Sequence, residues 1–320
     1  MHSKSVPLLS VGGLKKYFPV RKGGVIKAVD GVSFDIARGE TFSLVGESGC
    51  GKTTCGRTIL GIHRKTAGSV KYDGAETETF SKQQEKRFHK NAQMIFQDPY
   101  ACLDPRMTIG AIVKEGMHEY FKISESEKQE RALELLARVG LPHGFVSRYP
   151  HELSGGQRQR VGVARALALE PELIVCDEPL SALDVSIQAQ LINLLISLQQ
   201  ELNLTYLFIS HDLAVVRHIS DQTGVMYMGA LVELGDSDVL FRKPAHPYTQ
   251  LLFSSIPTAD AKSVRKSVRA NFEDEMPSAV NPPSGCRFRT RCGNAETICS
   301  REAPALRKLG DRHCAACHFV

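Results

Sequence analysis

The chain has 320 residues, 42% of them hydrophobic, and a formal net charge of +5. This composition is typical of a globular protein with an apolar core, and the length allows one large domain or two modest ones. Apolar runs of about 18 residues are missing, which excludes a membrane-spanning helix. No signal-peptide pattern is present, so we expect a cytosolic protein. Because Lys and Arg are not concentrated in any segment, the charge does not indicate a nucleic-acid partner.

The first part of the chain, residues 8–45, alternates short apolar runs with turns. This pattern predicts antiparallel strands, and the last run, residues 41–45, predicts a buried strand. A helix is predicted to follow, ending near Leu60. The nine residues between this strand and this helix carry the strongest signal in the sequence.

Residues 46–54 fit the phosphate-binding loop pattern G-x-x-x-x-G-K-[ST]. Glycines tolerate the backbone angles that aim successive N–H groups at an anion. Lys52 would supply a point charge to the β- and γ-phosphates, and Thr53 a hydroxyl to Mg²⁺. The predicted phosphate-binding residues are Gly46, Glu47, Ser48, Gly49, Cys50, Gly51, Lys52, Thr53 and Thr54.

An aromatic side chain ahead of this loop could stack on an adenine ring. Phe18 is our candidate and Tyr17 the alternative, although spacing alone fits a core residue equally well.

The next motif is a short apolar strand at residues 94–99 that contains Gln97. A glutamine at a strand end can coordinate Mg²⁺ or its water, although a surface glutamine before a turn has the same appearance. Residues 100–152 are predicted to be helical. Ser124 and Glu127 can form a capping box, followed by an apolar face at Ala132, Leu133, Leu136 and Ala137. We interpret this segment as a helical insert that makes contacts.

Residues 153–157 read LSGGQ and open a predicted helix at 157–169, which makes a second anion-binding helix N-terminus. A buried strand at residues 173–177 then ends in Asp177 and Glu178. Ligands bind at this end of parallel strands. Asp177 could hold Mg²⁺, and Glu178 could accept a proton from an attacking water.

Residues 181–184 read SALD and lead into a helix whose apolar stripe predicts core packing. The stripe is Ile187, Leu191, Leu194, Leu195 and Leu198. Another predicted strand, residues 205–210, ends before His211. This histidine falls at the same sheet edge as Asp177, which favours a contact with a γ-phosphate over a purely structural role.

Over about residues 8–240, these stretches resemble the ATP-binding cassette of ABC transporters. GESGCGKTT resembles the Walker A loop, Gln97 the Q-loop glutamine, LSGGQ the family signature, LIVCDE the Walker B strand, SALD the D-loop and His211 the switch histidine. The implied fold is an α/β P-loop NTPase cassette, with a RecA-like core, an antiparallel β subdomain and a helical subdomain at about residues 98–165. We expect this ATP-binding domain at residues 1–240 and a small Cys-rich C-terminal extension at 241–320.

The resemblance implies that ATP and Mg²⁺ are bound and that two cassettes dimerise head to tail. Each ATP would lie between the Walker motifs of one chain and Ser154, Gly156 and Gln157 of its partner. The implied catalytic residues are Glu178, which polarises the attacking water, His211, which holds the γ-phosphate, and Lys52. Thr53, Gln97 and Asp177 would surround Mg²⁺. Phe18 would stack on adenine, although many relatives have Tyr there.

Residues 244–252 resemble the start of the C-terminal extension in oligopeptide/dipeptide importer ATPases. This implies an ATP-hydrolysing subunit that powers uptake of peptides; nickel, glutathione or another small solute is the alternative. The implied partners are a paralogous ATPase, two membrane permease subunits and an extracytoplasmic solute-binding protein, with no nucleic acid. The implied location is the cytoplasmic face of the inner membrane, as a peripheral subunit. A linker is predicted at residues 262–269.

Five of the nine cysteines crowd the last stretch of the chain: Cys286, Cys292, Cys299, Cys314 and Cys317. In a reducing cytosol, such a group indicates a metal site before it indicates disulfides. In the family's relatives, four cysteines of this pattern can hold a [4Fe–4S] cluster, which by position implies Cys286, Cys292, Cys299 and Cys317. By chemistry alone, four thiolates suit zinc as well, although the spacing lacks the C-x₂-C pairs of common zinc folds. We expect the cluster to pin a tail too small to bury its own core.

Other classes of ABC ATPase fit less well. A DNA-repair or chromosome-organising ATPase needs a long heptad coiled coil between the phosphate loop and the signature, and the chain has no sustained heptads there. A ribosome-associated factor needs tandem cassettes, and the chain has one copy of each motif. A non-hydrolysing scaffold is disfavoured because Glu178 and His211 are present.

Overall fold

The computed structural model describes residues 6–20, 23–181, 183–255, 277–280 and 282–320. The linker predicted at residues 262–269 lies outside this part of the chain. The chain divides into two compact units, residues 1–78 with 209–320, and residues 79–208.

The first unit begins with an antiparallel sheet. Its strands are β1 (Leu9–Pro19), β2 (Val25–Ile36), β4 (Ala67–Tyr72) and β5 (Ala75–Glu76), in the order β2–β1–β4–β5. Val32, Phe34 and Ile36 of β2 are buried while the residues between them are exposed, because alternate side chains point to opposite faces of a strand. The predicted antiparallel strands at the start of the chain are therefore confirmed.

A second sheet of this unit carries the phosphate loop. Its strands run in the order β11–β12–β10–β9–β3, and β3 and β9 are parallel. The strands are β3 (Thr41–Val45), β9 (Gln222–Tyr227), β10 (Ala230–Asp236), β11 (Arg307–Gly310) and β12 (His313–Ala315). The helices of the unit are α1 (Lys52–Ile59), α7 (Leu213–Ile219), α8 (Ser237–Arg242), α9 (Pro247–Ser254) and α10 (Thr297–Arg301).

The second unit combines helices with the strands β8–β7–β6. Its strands are β6 (Ala92–Ile95), β7 (Leu173–Asp177) and β8 (Thr205–Ile209), the last of which ends at the unit boundary. Its helices are α2 (Lys82–Asn91), α3 (Ile109–Tyr120), α4 (Glu125–Arg138), α5 (Gly155–Leu167) and α6 (Val185–Leu202). Short 3₁₀ segments occur at Thr77–Thr79, His143–Ser147 and Pro150–Glu152.

In the part of the chain described, no helix has the length and apolar character needed to cross a membrane.

The helical segment of the second unit follows the sequence prediction closely. Ser124 and Glu127 form the predicted capping box, in which each side chain accepts the backbone N–H of the other residue. Ala132 and Leu136 are fully buried, but Ala137, which we placed on the same face, is exposed. The buried face of α4 is therefore narrower than predicted.

The C-terminal tail of the first unit is built onto the core of that unit. Strand β12 pairs antiparallel with β10, with Leu234 opposite Cys314. The Phe288 side chain is 1% exposed, and its ring packs 5.4 Å from those of Tyr227 and Tyr248 and 5.8 Å from that of His246. The tail thus buries its apolar surface against the sheet that carries the phosphate loop.

We expect Phe288→Ala to reduce the free energy of unfolding by about 3–5 kcal/mol, because it removes a large ring from a closed aromatic cluster. Urea unfolding measures this change. Phe319→Ala is the matched control, since that ring is 49% exposed, and should change the free energy by less than about 0.5 kcal/mol. Equal effects of the two substitutions would show that Phe288 does not hold the tail to the core.

Candidate functional site

The backbone of the phosphate loop adopts conformations that only glycine accepts easily. The φ angles of Gly46, Gly49 and Gly51 are 148°, 78° and 107°. A Cβ atom on Gly46 would lie 2.2 Å from the Met226 carbonyl oxygen, and one on Gly51 would lie 2.0 Å from that of Ala28. The backbones of β2 and β9 therefore contact the loop directly at these two glycines. Helix α1 begins after Gly51 without a side-chain cap, so its first N–H groups suit an anion such as a phosphate.

Lys52 lies inside the loop, with 3% of its surface exposed. Its ammonium group donates to the carbonyl oxygens of Gly46, at 2.8 Å, and Glu47, at 3.0 Å. Burial raises the pKa of the neighbouring Cys50 thiol, although the Lys52 charge opposes this. The positive charge of the loop is thus concentrated at Lys52, as phosphate binding requires.

Glu47 is held by residues from the C-terminal part of the first unit. Its backbone N–H donates to the Tyr248 hydroxyl at 2.9 Å. Its carboxylate accepts from Nη1 of Arg291 at 2.9 and 3.1 Å. Burial alone would lower the pKa of Arg291, but the hydrogen bonds and electrostatic attraction of Glu47 and Tyr227 together outweigh burial and raise that pKa. Sequence reasoning missed both contacts, since nothing in the local pattern relates residues more than 200 positions apart.

The two aromatic candidates for an adenine contact have different surroundings. Tyr17 donates its hydroxyl to Asp30, and burial together with this hydrogen bond raises the pKa of Tyr17 to about 12. Phe18 makes an edge contact with His63 at 5.6 Å between ring centroids, and its own ring is half-buried. Because the Tyr17 hydroxyl is hydrogen-bonded to Asp30, Phe18 is the more suitable candidate for stacking on adenine. Its role stays a prediction.

His211 is an exposed residue of the first unit that follows β8. The backbone N–H of the preceding Ser210 donates to the Leu44 carbonyl oxygen at 3.3 Å. Leu44 belongs to β3, the strand that leads into the phosphate loop. The first unit therefore brings the segment that carries His211 next to the phosphate-loop strand.

In the second unit, the structure brings Gln97 and Glu178 together. Strand β7 ends in the fully buried Asp177, and Glu178 follows in a left-handed conformation with φ 44°. The Gln97 side-chain amide donates to the Glu178 carboxylate at 3.0 Å. The Ser181 hydroxyl donates to the Glu178 carbonyl at 3.1 Å. A left-handed non-glycine residue is costly and persists only where surrounding contacts hold it, which is common at functional sites. Strand β6 ends at Ile95, so Gln97 lies just beyond the strand instead of at its end.

The LSGGQ motif forms the start of α5, as predicted. Ser154 and Gln157 make a capping box: the Gln157 backbone N–H donates to the Ser154 hydroxyl at 3.4 Å, and the Ser154 backbone N–H donates to the Gln157 side-chain oxygen Oε1 at 2.9 Å. Gly156 is required by packing, because a Cβ there would lie 2.7 Å from Ile187. Arg158, which sequence reasoning missed, donates to the Pro150 carbonyl at 2.6 Å and stacks 3.9 Å from the Tyr100 ring.

The prediction of a [4Fe–4S] cluster, or of zinc, at Cys286, Cys292, Cys299 and Cys317 is wrong. The four cysteines line one pocket, but among the described residues no group of three or more His, Cys, Asp or Glu side chains is arranged to hold a metal ion. Burial raises the pKa of the Cys286 and Cys292 thiols.

The reason that we gave for a metal site also fails. We expected the tail to need a staple because it cannot bury a core of its own. The structure instead packs Phe288 against Tyr227 and Tyr248, pairs β12 with β10, and joins Arg287 to Asp30 by an ion pair. The tail is therefore stabilised by the core of the first unit.

Comparison with protein families gives two matches. Residues 29–181 match the family described as ABC transporter, and residues 232–299 match the family described as oligopeptide/dipeptide transporter, C-terminal region.

Individual relatives match almost the whole chain. The oligopeptide transport ATP-binding protein AppF of Bacillus subtilis is 51% identical, over 98% of this chain and 97% of the relative. OppF of Escherichia coli, with the same description, is 48% identical over 97% of this chain and 95% of the relative.

Solved ABC cassettes share the fold. CbiO1 of Clostridium perfringens, part of an ABC transporter complex, has a TM-score of 0.65 at 27% identity and covers 75% of this chain and 92% of its own. The cassette MJ0796, solved as a dimer with ADP and phosphate, has a TM-score of 0.64 at 28% identity and covers 72% of this chain and 98% of its own.

We expect Gly51→Ala to weaken nucleotide binding at least about tenfold, because its Cβ would meet the Ala28 carbonyl and force the loop to move. Titration with a fluorescent ATP analogue measures the affinity. Gly49→Ala is the matched control: its φ of 78° is also left-handed, but no atom lies within 4 Å of the added Cβ. That variant should lose only about 1 kcal/mol of stability. Similar affinities for the two variants would contradict the steric argument.

Proposed function

The chain belongs to the ABC transporter family as an ATPase subunit, and from that premise we propose that it powers the uptake of dipeptides or oligopeptides. The observation that carries the proposal is similarity along almost the entire chain to oligopeptide transport ATP-binding proteins. Similarity restricted to the cassette would fit any transported solute. Here the C-terminal region matches the oligopeptide/dipeptide transporter family as well.

ATP and Mg²⁺ are the ligands expected of an ABC ATPase, and the loop suits them. Neither Gly46 nor Gly51 has room for a side chain, so the backbone of the loop can approach a phosphate closely, and Lys52 supplies a positive charge inside it. We assign phosphate binding to residues 46–54, with Lys52 on the β- and γ-phosphates. We assign Thr53, Gln97 and Asp177 to Mg²⁺, which when bound would neutralise phosphate charge. Phe18 is assigned to adenine.

In the proposed catalytic step, Glu178 polarises the attacking water and accepts its proton. The support is that its carboxylate is oriented by the Gln97 amide and its backbone is held in a left-handed conformation. His211 is proposed to hold the γ-phosphate and the water in place. Such catalysis depends mainly on positioning and on stabilisation of charge.

We propose that two cassettes close on ATP, so that Ser154, Gly156 and Gln157 of one chain contact the nucleotide of the other. The solved dimer of a 28% identical cassette supports this arrangement. The capping box holds Ser154 at the start of α5, and the N–H groups of a helix's first turn suit an anion. The partner is proposed to be a paralogous ATPase, and closure and reopening would drive the transporter.

Membrane permease subunits and a substrate-binding partner are implied for an importer ATPase of this type. We propose two permeases and an extracytoplasmic solute-binding protein, with this chain peripheral on the cytoplasmic face of the inner membrane. The helical region at about residues 98–165 would receive the permeases. We retain residues 1–240 as the proposed ATP-binding domain and 241–320 as the extension.

We expect Glu178→Gln to reduce ATP hydrolysis by at least about 100-fold while ATP binding is kept, because the amide cannot accept the proton. Phosphate release and binding of a fluorescent ATP analogue, measured on the same preparation, test this. Glu172→Gln serves as control, since that carboxylate precedes strand β7, accepts from the Asn91 side-chain amide at 3.0 Å and has no proposed role in the reaction. This variant should leave turnover unchanged. Sustained turnover of Glu178→Gln would remove Glu178 as the base.

Deletion of this chain from its host should abolish uptake of labelled di- or oligopeptides, and Lys52→Ala should fail to restore it. Uptake of labelled nickel and glutathione, measured in the same cells, tests the alternative solutes. Loss of nickel or glutathione uptake with normal peptide uptake would overturn the peptide assignment and leave the ATPase assignment in place.

A further inference from the structure

The phosphate loop carries an acidic residue beside the groups that attract an anion. Glu47 directly follows Gly46, and its carbonyl oxygen accepts a hydrogen bond from Lys52. A carboxylate at this position repels a nearby triphosphate, because like charges in a partly buried site are weakly screened. Its side chain is 25% exposed, so solvent alone does not remove this repulsion.

Arg291 compensates the charge of Glu47. Its Nη1 donates to both carboxylate oxygens at 2.9 and 3.1 Å, and its side chain is only 4% exposed. The guanidinium also lies 5.9 Å from the centre of the Tyr227 ring and 6.0 Å from that of Phe288. Two aromatic rings thus flank the Arg291 guanidinium, and its Nη1 donates to the carboxylate of Glu47.

The segment that carries Arg291 is itself anchored. Arg287, four residues earlier in the sequence, donates to the Asp30 carboxylate and to the Met228 carbonyl. Phe288 fills the aromatic cluster between these two arginines. The Tyr248 hydroxyl accepts a hydrogen bond from the backbone N–H of the same Glu47 at 2.9 Å. Both the charge and the backbone of this loop residue are therefore set by the C-terminal part of the chain.

We propose that Arg291 is a positioning residue for nucleotide binding, which neutralises and immobilises Glu47 so that the phosphate loop accepts a highly charged phosphate chain. The inference rests on the proposed role of this loop in binding ATP. It gives the C-terminal extension a part in the ATPase site of its own subunit. By thermodynamic linkage, docking of residues 287–291 and binding of the nucleotide favour each other.

This inference predicts an effect that grows with the charge of the ligand. Arg291→Ala leaves an uncompensated carboxylate, so affinity for ATP should fall roughly tenfold, affinity for ADP less, and affinity for adenosine little. Arg291→Lys keeps a positive charge near Glu47 but not the guanidinium geometry, so its ATP affinity should lie between those of the wild type and Arg291→Ala. In the double variant Glu47→Gln with Arg291→Ala, the repulsion is gone and ATP affinity should return to within roughly threefold of the wild type.

The experiment is titration of the full-length chain with ATP, ADP and adenosine, for the wild type and these variants, well below each variant's melting temperature. Arg289→Ala is the matched control, because the side chain of this arginine, in the same segment, donates to the Ser284 carbonyl at 2.9 Å and not to the phosphate loop. It should leave all three affinities unchanged. Hydrogen exchange of residues 286–292 provides a second readout: ATP should slow it in the wild type and not in Arg291→Ala.

A purely structural role for Arg291 gives a different result. It would lower the melting temperature and weaken the three ligands equally, and the Glu47→Gln substitution would not restore ATP binding. That outcome, or unchanged ATP affinity in Arg291→Ala, would overturn the inference. Failure of the proposed function is recognised separately, because the wild type would then not bind ATP or Lys52→Ala would bind it normally.

Discussion

The site of the first unit depends on the close approach of two strands to the phosphate loop. The carbonyl oxygens of Ala28 in β2 and Met226 in β9 lie 2.0 and 2.2 Å from where a Cβ atom would stand on Gly51 and Gly46. Because this close approach requires glycine at both positions, the sheets constrain the path of the loop, and Lys52 occupies its interior. The loop is thus a rigid product of packing around it, and the start of α1 inherits its orientation.

The C-terminal tail belongs to this same packed unit. It contributes a strand to the sheet of the phosphate loop, an aromatic ring to the core beneath it, and a hydrogen-bonded cation to the loop itself. Through these contacts, residues 287–315 share the core and the sheet of the first unit. The hydrogen bonds of Glu47 to Tyr248 and Arg291 connect the phosphate loop directly to the C-terminal part of the chain.

The second unit holds the Glu178 carboxylate, which we propose as the base, in one orientation. Glu178 follows a strand that is buried along its full length, and its left-handed backbone turns the side chain toward Gln97. The glutamine amide then fixes one carboxylate oxygen. In the same unit, Ser154 and Gln157 satisfy each other's N–H groups at the start of α5. Both arrangements use short polar contacts to fix groups that we propose act on ATP.

The amino-acid sequence alone determined the features that depend on neighbouring residues: the phosphate loop, the buried strands β3 and β7, the capping box at Ser124 and the family itself. These follow from local periodicity, from turn chemistry and from motif spacing, all of which act within a few residues. Only the tertiary structure decided that Gln97 meets Glu178, that Arg291 meets Glu47, and that the tail cysteines are not arranged as a metal site. Such contacts join residues 81 and 244 positions apart, and they are selected by how whole elements pack, which no short pattern encodes.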